Sequence, residues 1–78
     1  MQNNELSKYI TINKDIRFGK PCIINTRISV GDILQWLSEG MSTNEILDDY
    51  PSLEAVHIQA ALYFAARRED LAKVISFA

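Results

Sequence analysis

The stretch SVGDILQWLSEGMSTNEILDDYPSL, residues 29–53, decides the fold because it contains the start and stop signals of two successive helices. Ser29 and Asp32 have the spacing of a capping box, in which each side chain bonds the other's backbone. Gly40 stands where a helix C-terminal cap is expected. The apolar residues between these signals recur at the spacing of one helical face, and they are Val30, Ile33, Leu34 and Leu37. The sequence therefore predicts a first helix between Ser29 and Gly40.

The same start signal returns in Ser42 and Glu45, and Pro51 ends the short helix that follows. A longer helix is predicted to begin at Ser52 or Leu53 and to reach about residue 69. Residues 70–78 are expected to form a C-terminal helical segment or tail. Three helices joined by short turns have the plan of a helix-turn-helix module.

The N-terminal side of this helical stretch favours a β-ribbon. Residues 9–12 and 21–24 are rich in β-branched and aromatic side chains, and the break FGKP at residues 18–21 separates them. Residues 1–8 are mostly polar, and we expect them to be flexible. The predicted fold class is mainly α: a short N-terminal β-ribbon, a three-helix bundle over the rest of a single domain at 9–69, and the tail.

Composition limits the possible classes of protein. A chain of 78 residues is long enough for one hydrophobic core only, and 47% hydrophobic with 23% charged residues is typical of a globular domain. It has no run of ~18 apolar residues and no apolar run near its start, so we expect neither a membrane span nor a secretion signal. Cys22 is the single cysteine, which excludes an internal disulfide. We expect a cytoplasmic protein.

Charge is divided unevenly along the chain. Residues 1–31 carry five basic and two acidic residues, a net of +3, whereas residues 32–78 carry three basic and eight acidic residues, a net of −5. The basic side chains of residues 1–31 either contact phosphate groups or simply solvate the predicted ribbon. Arg17, Lys20 and Arg27 are the candidates for DNA phosphates, and we expect Arg17 and Lys20 to be freer than Arg27, which is also able to bond groups at helix ends.

The long third helix has two apolar sectors, and a small domain has one core to cover them. The first sector consists of Ile58, Ala61, Leu62 and Ala65, and the second of Leu53, Val56, Ala60, Tyr63 and Phe64. Either the ribbon or a partner chain covers the second sector; we favour a partner and a homodimer. The tail either docks on a partner or folds back over the first helix. The candidates for a dimer or partner interface are Trp36, Val56, Ala60, Tyr63, Leu71, Val74, Ile75 and Phe77.

The sequence offers little for catalysis. It has one histidine, one cysteine and no metal-ligand spacing, so we expect no catalytic, metal-binding or cofactor-binding residues and no enzyme activity. The start of the third helix is also a poor reader of DNA bases, since Glu54 faces a phosphate backbone with the wrong sign of charge.

Two motifs in order carry a family resemblance. The run FGKPCIINTRISV at residues 18–30 and the segment EILDDYPSL at residues 45–53 resemble the small bacterial "domain of unknown function 433" family, over roughly residues 9–66. Members share a GKPxIxGTRIxV signature and a DYPxL turn; here Asn25 stands where the family usually has Gly, and Ser29 where it usually has Pro.

The resemblance implies a homeodomain-like helix-turn-helix fold and an antitoxin-like role. Members of this family resemble antitoxins and are often encoded beside a PIN-like ribonuclease toxin. We therefore expect a non-catalytic protein that neutralises such a toxin, with possible operator DNA binding for autoregulation. The alternative is a DNA-binding transcriptional regulator without a toxin partner.

Overall fold

The computed structural model describes the backbone of residues 1–76 and the side chains of residues 1–68. Its helices are α1 (Asn3–Leu6), α2 (Val30–Ser38), α3 (Thr43–Asp49) and α4 (Ala55–Ser76), and its strands are β1 (Ile10–Thr11) and β2 (Cys22–Ile23). The predicted fold class is confirmed: the protein is mainly helical, with a short antiparallel ribbon ahead of α2, α3 and α4.

The ribbon leads directly into α2. Ile10 lies opposite Ile23 in the antiparallel pair. After β2 the chain reverses, so that the Ile23 N–H donates to the Ile28 carbonyl at 2.8 Å and the Val30 N–H donates to the Pro21 carbonyl at 2.9 Å. Asn25 has a φ of 63° in this reversal, a left-handed conformation that asparagine tolerates better than most residues. The start of α2 is thereby fixed to the ribbon.

Both predicted capping boxes are present, because each of these helices needs partners for its first N–H groups. The Ser29 hydroxyl accepts from the Asp32 N–H at 2.9 Å, and the Asp32 carboxylate accepts from the Ser29 N–H at 3.0 Å. Ser42 and Glu45 make the same reciprocal pair at the start of α3. These bonds confirm the two helix starts predicted from the sequence.

The core lies where the ribbon meets the three longer helices. Its buried members are Ile10, Ile23, Val30, Ile33, Ile46, Leu53, Ile58, Ala60 and Ala61. Every element from β1 to α4 contributes to this cluster, so the chain has one core, as its length requires.

Three predicted boundaries need correction. α4 begins at Ala55 and not at Ser52 or Leu53. Residues 3–6 form the short helix α1 rather than a frayed segment, and Leu6 packs against the core. α4 continues to Ser76 as one helix, so no separate tail begins at residue 70. The propensity of the last residues for helix was recognised, but no breaker separates them from the preceding helix.

The second apolar sector of α4 is covered partly by the chain's own residues. Ala60 is fully buried, so it is not available to a partner, which corrects its assignment as an interface residue. Val56 and Tyr63 are half-buried, and the Tyr63 hydroxyl donates to the Asn3 side-chain oxygen. Leu62 of the first sector remains 49% exposed.

The remaining interface candidates divide into two groups. Trp36 is half-buried and stacks on Tyr50 of the same chain with ring centroids 4.2 Å apart, so its ring is engaged internally. Trp36 is thus half-covered within its own chain, and its place in a partner interface stays a prediction. The side chains of Leu71, Val74, Ile75 and Phe77 lie outside the described residues.

Candidate functional site

The most unusual surface feature is Phe18, whose side chain is 100% exposed. A phenylalanine loses about 1.5–3 kcal/mol of favourable burial when it stays in water. The other phenylalanine with a described side chain, Phe64, packs against the core. An aromatic side chain held entirely in solvent therefore marks this turn as a candidate contact surface.

Phe18 sits in a turn of left-handed backbone. The φ angles of Arg17, Phe18 and Gly19 are 50°, 59° and 82°. The Gly19 N–H donates to the Ile16 carbonyl at 3.1 Å, and the Lys20 N–H donates to the Arg17 carbonyl at 3.2 Å. The left-handed region costs roughly 1–2 kcal/mol per residue that has a side chain, and two such residues stand here in succession. Strain of this size persists where other contacts enforce it, and it is concentrated at functional sites.

Arg17 supplies contacts that hold this turn. Its Nη1 donates to the Asp32 carboxylate at 2.9 Å and to the Arg27 carbonyl at 2.9 Å. The turn is thereby joined both to the start of α2 and to the loop before it. Arg17 is therefore engaged, contrary to the expectation that it is free for a DNA phosphate. The side chains of Lys20 and Arg27 are exposed.

Asp32 connects the turn at residues 17–19 to the start of α2. The same oxygen that accepts from Arg17 also accepts from the Ser29 N–H in the capping box. Partial burial raises the pKa of Asp32, but the hydrogen bonds from Arg17 and Ser29 outweigh burial, so its pKa lies below the ordinary value. Asp32 is therefore a carboxylate at neutral pH, and Arg17 balances its charge.

A groove of about 630 Å³ lies beside the turn, which we call the Phe18 groove. It is lined by residues of the turn, of α2 with its N-cap, and of the second half of α4: Phe18, Gly19, Lys20, Pro21, Ser29, Gly31, Asp32, Gln35 and Arg68. Two cations, Lys20 and Arg68, line it together with one anion, Asp32, which is already paired with Arg17. The groove thus has apolar surface at Phe18 and an excess of positive charge.

The sequence indicates Lys20 as a candidate for DNA phosphates, but its pattern assigns no role to Phe18 or Arg68. The break at residues 18–21 predicted a turn, and Gly19 was part of that signal. Nothing in the local pattern separates a buried phenylalanine from an exposed one, since that depends on where the turn points in the folded chain. Arg68 reaches the groove through the packing of α4 and not through its sequence neighbours.

The start of α4 is stabilised by contacts of His57 within its own chain. The His57 Nδ1 accepts from the Glu54 N–H at 2.9 Å, and the His57 ring packs edge-on against Tyr9 with centroids 6.1 Å apart. Glu54, Ala55 and Gln59 are the exposed residues at this end of the helix. These residues offer no cation to a phosphate and one amide to a base edge, so base readout by this helix is disfavoured.

The described side chains show no metal-binding cluster of three or more His, Cys, Asp or Glu residues. Cys22 is a free thiol and is buried. No helix in the part of the chain that the structure describes has both the length and the apolar character needed to cross a membrane.

The fold and the groove define a small, mainly helical domain with an N-terminal ribbon and one polar-rimmed surface groove. Residues 10–65 match the family described as "Protein of unknown function (DUF433)", and the chain belongs to this family. No match was found among curated proteins. The family resemblance drawn from the two sequence motifs is thereby confirmed.

A solved structure shares this fold. It is described as the crystal structure of a DUF433 member protein from Anabaena variabilis ATCC 29413. The two chains are 24% identical, with a TM-score of 0.72, and the alignment covers 97% of this chain and 86% of the other. At that identity the likeness establishes the common fold alone.

Proposed function

We propose that this protein is a non-catalytic, antitoxin-like binding protein that neutralises a PIN-like ribonuclease toxin in the cytoplasm. The observation that carries the proposal is the fully exposed Phe18 on a strained turn, held by Arg17. Such a side chain contributes nothing to the stability of the free protein, and its burial by a partner supplies binding energy. The family resemblance supports a nuclease as that partner.

Binding without chemistry agrees with what the groove contains. The Asp32 carboxylate is bonded by Arg17 and Ser29, which leaves it poorly placed as a general base. Lys20 and Arg68 contribute charge, and Phe18 contributes apolar area. This combination resembles a protein-binding surface, in which an aromatic anchor is surrounded by polar groups.

Operator binding is a second role that is compatible with the first. The exposed side chains of Lys20 and Arg27 favour it, since both are available to phosphates. We also expect a homodimer through Val56 and Tyr63 of α4, whose side chains are only half-buried within their own chain. Sedimentation velocity tests the dimer, and a lone protomer at high concentration would contradict it.

Co-expression with the adjacent open reading frame tests the toxin proposal. A small nuclease-like frame that abuts this gene should slow growth when expressed alone and should cease to do so when this chain is co-expressed. The purified pair should form a stable complex in which ribonuclease activity is suppressed. An adjacent product that shows no binding, or that stays fully active when bound, would reject the toxin proposal.

Salt dependence separates DNA binding from protein binding. Neutralising Z phosphates gives a slope of about −0.9Z when log affinity is plotted against log salt. If the chain acts instead as a regulator without a toxin, its own promoter should be bound at low salt and released steeply as salt rises. Absence of promoter binding at low salt would remove the regulatory role.

A further inference from the structure

We propose that the Phe18 turn is the anchor of the partner interface and that its partner is a folded protein with an apolar pocket rimmed by carboxylates. The inference rests on the proposed binding function and specifies the surface and the chemistry that it recognises. Three properties support it: the shape of the turn, the charges beside it, and the way the turn is held.

Shape identifies the partner as the concave member of the pair. Phe18 has its whole side chain in solvent, so its ring projects from the surface at the edge of the Phe18 groove and is not enclosed by it. A projecting aromatic ring binds by entering a pocket, where it is desolvated on both faces. The Phe18 groove lies beside the ring and is suited to receive the lip of that pocket.

Charge identifies the rim of the pocket as acidic. Lys20 and Arg68 line the groove as cations, whereas the negative charge of Asp32 is offset by Arg17. Exposed carboxylates elsewhere, such as Asp48 and Asp49, lie on α3. The protein as a whole carries a net charge of −2, so the positive character belongs to this face and not to the molecule. Complementary charge speeds association and selects among partners.

The surroundings of the other aromatic residues favour a protein over a single-stranded nucleic acid. Single-strand binding uses several aromatic platforms on which successive bases stack. Among residues 1–68, Phe18 is the one fully exposed aromatic residue. The Arg68 guanidinium lies 5.7 Å from the centre of the Phe64 ring, and the Arg67 guanidinium lies 5.6 Å from that of Tyr63. A single exposed aromatic ring is better suited to one pocket on a protein than to a run of stacked bases.

Arg17 and Asp32 act as positioning residues for Phe18. Through the 2.9 Å bond to Asp32 and the bond to the Arg27 carbonyl, Arg17 ties a left-handed turn to the capped end of α2. An anchor that is rigid before binding loses less conformational freedom in the complex. Loss of this pair should therefore weaken binding even though neither residue needs to contact the partner.

The test is an affinity titration of purified full-length variants against the purified product of the adjacent nuclease-like reading frame. F18G and F18N suit the left-handed backbone, so both should fold, and circular dichroism checks this. We expect each to lose affinity by at least about 30-fold, the size expected of a hot-spot residue. L62A removes a half-exposed apolar side chain on α4 and is the matched control, with unchanged affinity expected.

The acidic rim is tested by charge removal. K20Q and R68Q should each slow association and reduce its dependence on salt, whereas K8Q, which removes an exposed cation near α1, should do neither. D32N should weaken binding less than F18G does. The loss of affinity caused by D32N should appear at all salt concentrations.

The outcomes separate this inference from the proposed function. If the wild-type chain fails to bind the nuclease, the proposed function fails and the inference fails with it. If the wild-type chain binds and F18G and F18N bind equally well, the inference alone is overturned. The inference would also be overturned if the wild-type chain bound a labelled single-stranded oligonucleotide and F18G abolished that binding, since Phe18 would then contact nucleic acid.

Discussion

At the scale of single residues, the protein places its least favourable backbone beside its most exposed aromatic ring. Arg17 and Phe18 both have left-handed φ angles, although only glycine adopts them without steric cost. Asp32, through Arg17, connects that strained turn to a helix start that is otherwise ordinary. The consequence is that stability and binding should respond in opposite directions to substitution at Phe18.

Replacing Phe18 by glycine should leave the protein as stable as before or stabilise it by up to about 1.5 kcal/mol. Glycine relieves roughly 1–2 kcal/mol of left-handed strain, and its greater freedom in the unfolded chain offsets roughly 0.5–1 kcal/mol of that gain. No buried contact is lost, because the ring is fully exposed. Urea denaturation measures the change. A clear fall in the free energy of unfolding would show that Phe18 supports the fold.

Acid should remove the contribution of Asp32. Burial raises its pKa, but the bonds from Arg17 and Ser29 more than offset this, so the folded-state pKa is lower than that of the unfolded chain. A depressed carboxyl pKa gives stability that is present above the unfolded pKa and is lost as pH falls through the folded one. The melting temperature of the wild type should therefore exceed that of D32N near neutral pH, and the difference between the two should shrink below about pH 4. A gap that stays constant in acid would contradict the assignment.

At the scale of elements, the helices are defined by their ends. Both capping boxes were readable from the sequence because they depend on residues three positions apart. At the other end of α2, the Gly40 N–H donates to the Leu37 carbonyl at 3.1 Å and the Met41 N–H donates to the Trp36 carbonyl at 3.1 Å. This is the Schellman arrangement, and it needs the left-handed Gly40, whose φ is 96°.

Gly40→Ala should destabilise the protein by about 1 kcal/mol, the cost of a left-handed residue that has a side chain. A Cβ at this position would meet nothing within 4 Å, so the cost is conformational and not steric crowding with neighbours. Gly31→Ala is the control, since Gly31 is exposed within α2 and alanine favours helix there. Equal effects of the two substitutions on the urea midpoint would contradict this account of the helix end.

The elements that the sequence predicted correctly are those fixed by local signals. The ribbon strands, the two capped helices and the long helix all have such signals, and the structure shows each of them. The sequence predicts a separate helical segment or tail at residues 70–78 and a flexible segment at residues 1–8, whereas residues 70–76 continue α4 and residues 3–6 form a helical turn.

The candidate site around Phe18 is harder to predict from the sequence than the helices are, because it depends on contacts between residues distant in the chain. Arg17 was expected to be free, and only its approach to Asp32, fifteen positions away in the chain, shows that it is engaged. Ala60 is an interface candidate by sequence, yet it is fully buried in the core cluster of its own chain. Lys20 was placed correctly as an exposed cation, a state that most lysines share.

At the scale of the whole molecule, one small core must support all of these features. A chain of this size has a free energy of unfolding of about 4–12 kcal/mol at the usual value per residue. Ile33 of α2 is fully buried in the centre of that core, whereas Leu62 of α4 is half exposed. The two positions therefore test how much the molecule depends on its own packing.

Ile33→Ala should cost about 2–5 kcal/mol, which is a large part of the total free energy of unfolding. Leu62→Ala should change stability by less than about 0.5 kcal/mol, as expected of an exposed position. Comparison of the two urea transitions measures both effects. A large loss for Leu62→Ala would mean that this side chain is covered in solution, for example by a second copy of the chain.

The central claim, that the exposed ring of Phe18 enters a pocket on another protein, is tested most directly by site-specific photocrosslinking. The photoreactive residue p-benzoylphenylalanine replaces Phe18 in one strain and Leu62 in another, each co-expressed with the adjacent nuclease-like gene. Irradiation should join the chain to the nuclease from position 18 and not from position 62. Equal crosslinking from both positions, or crosslinks from position 18 only to other copies of the chain, would contradict the account.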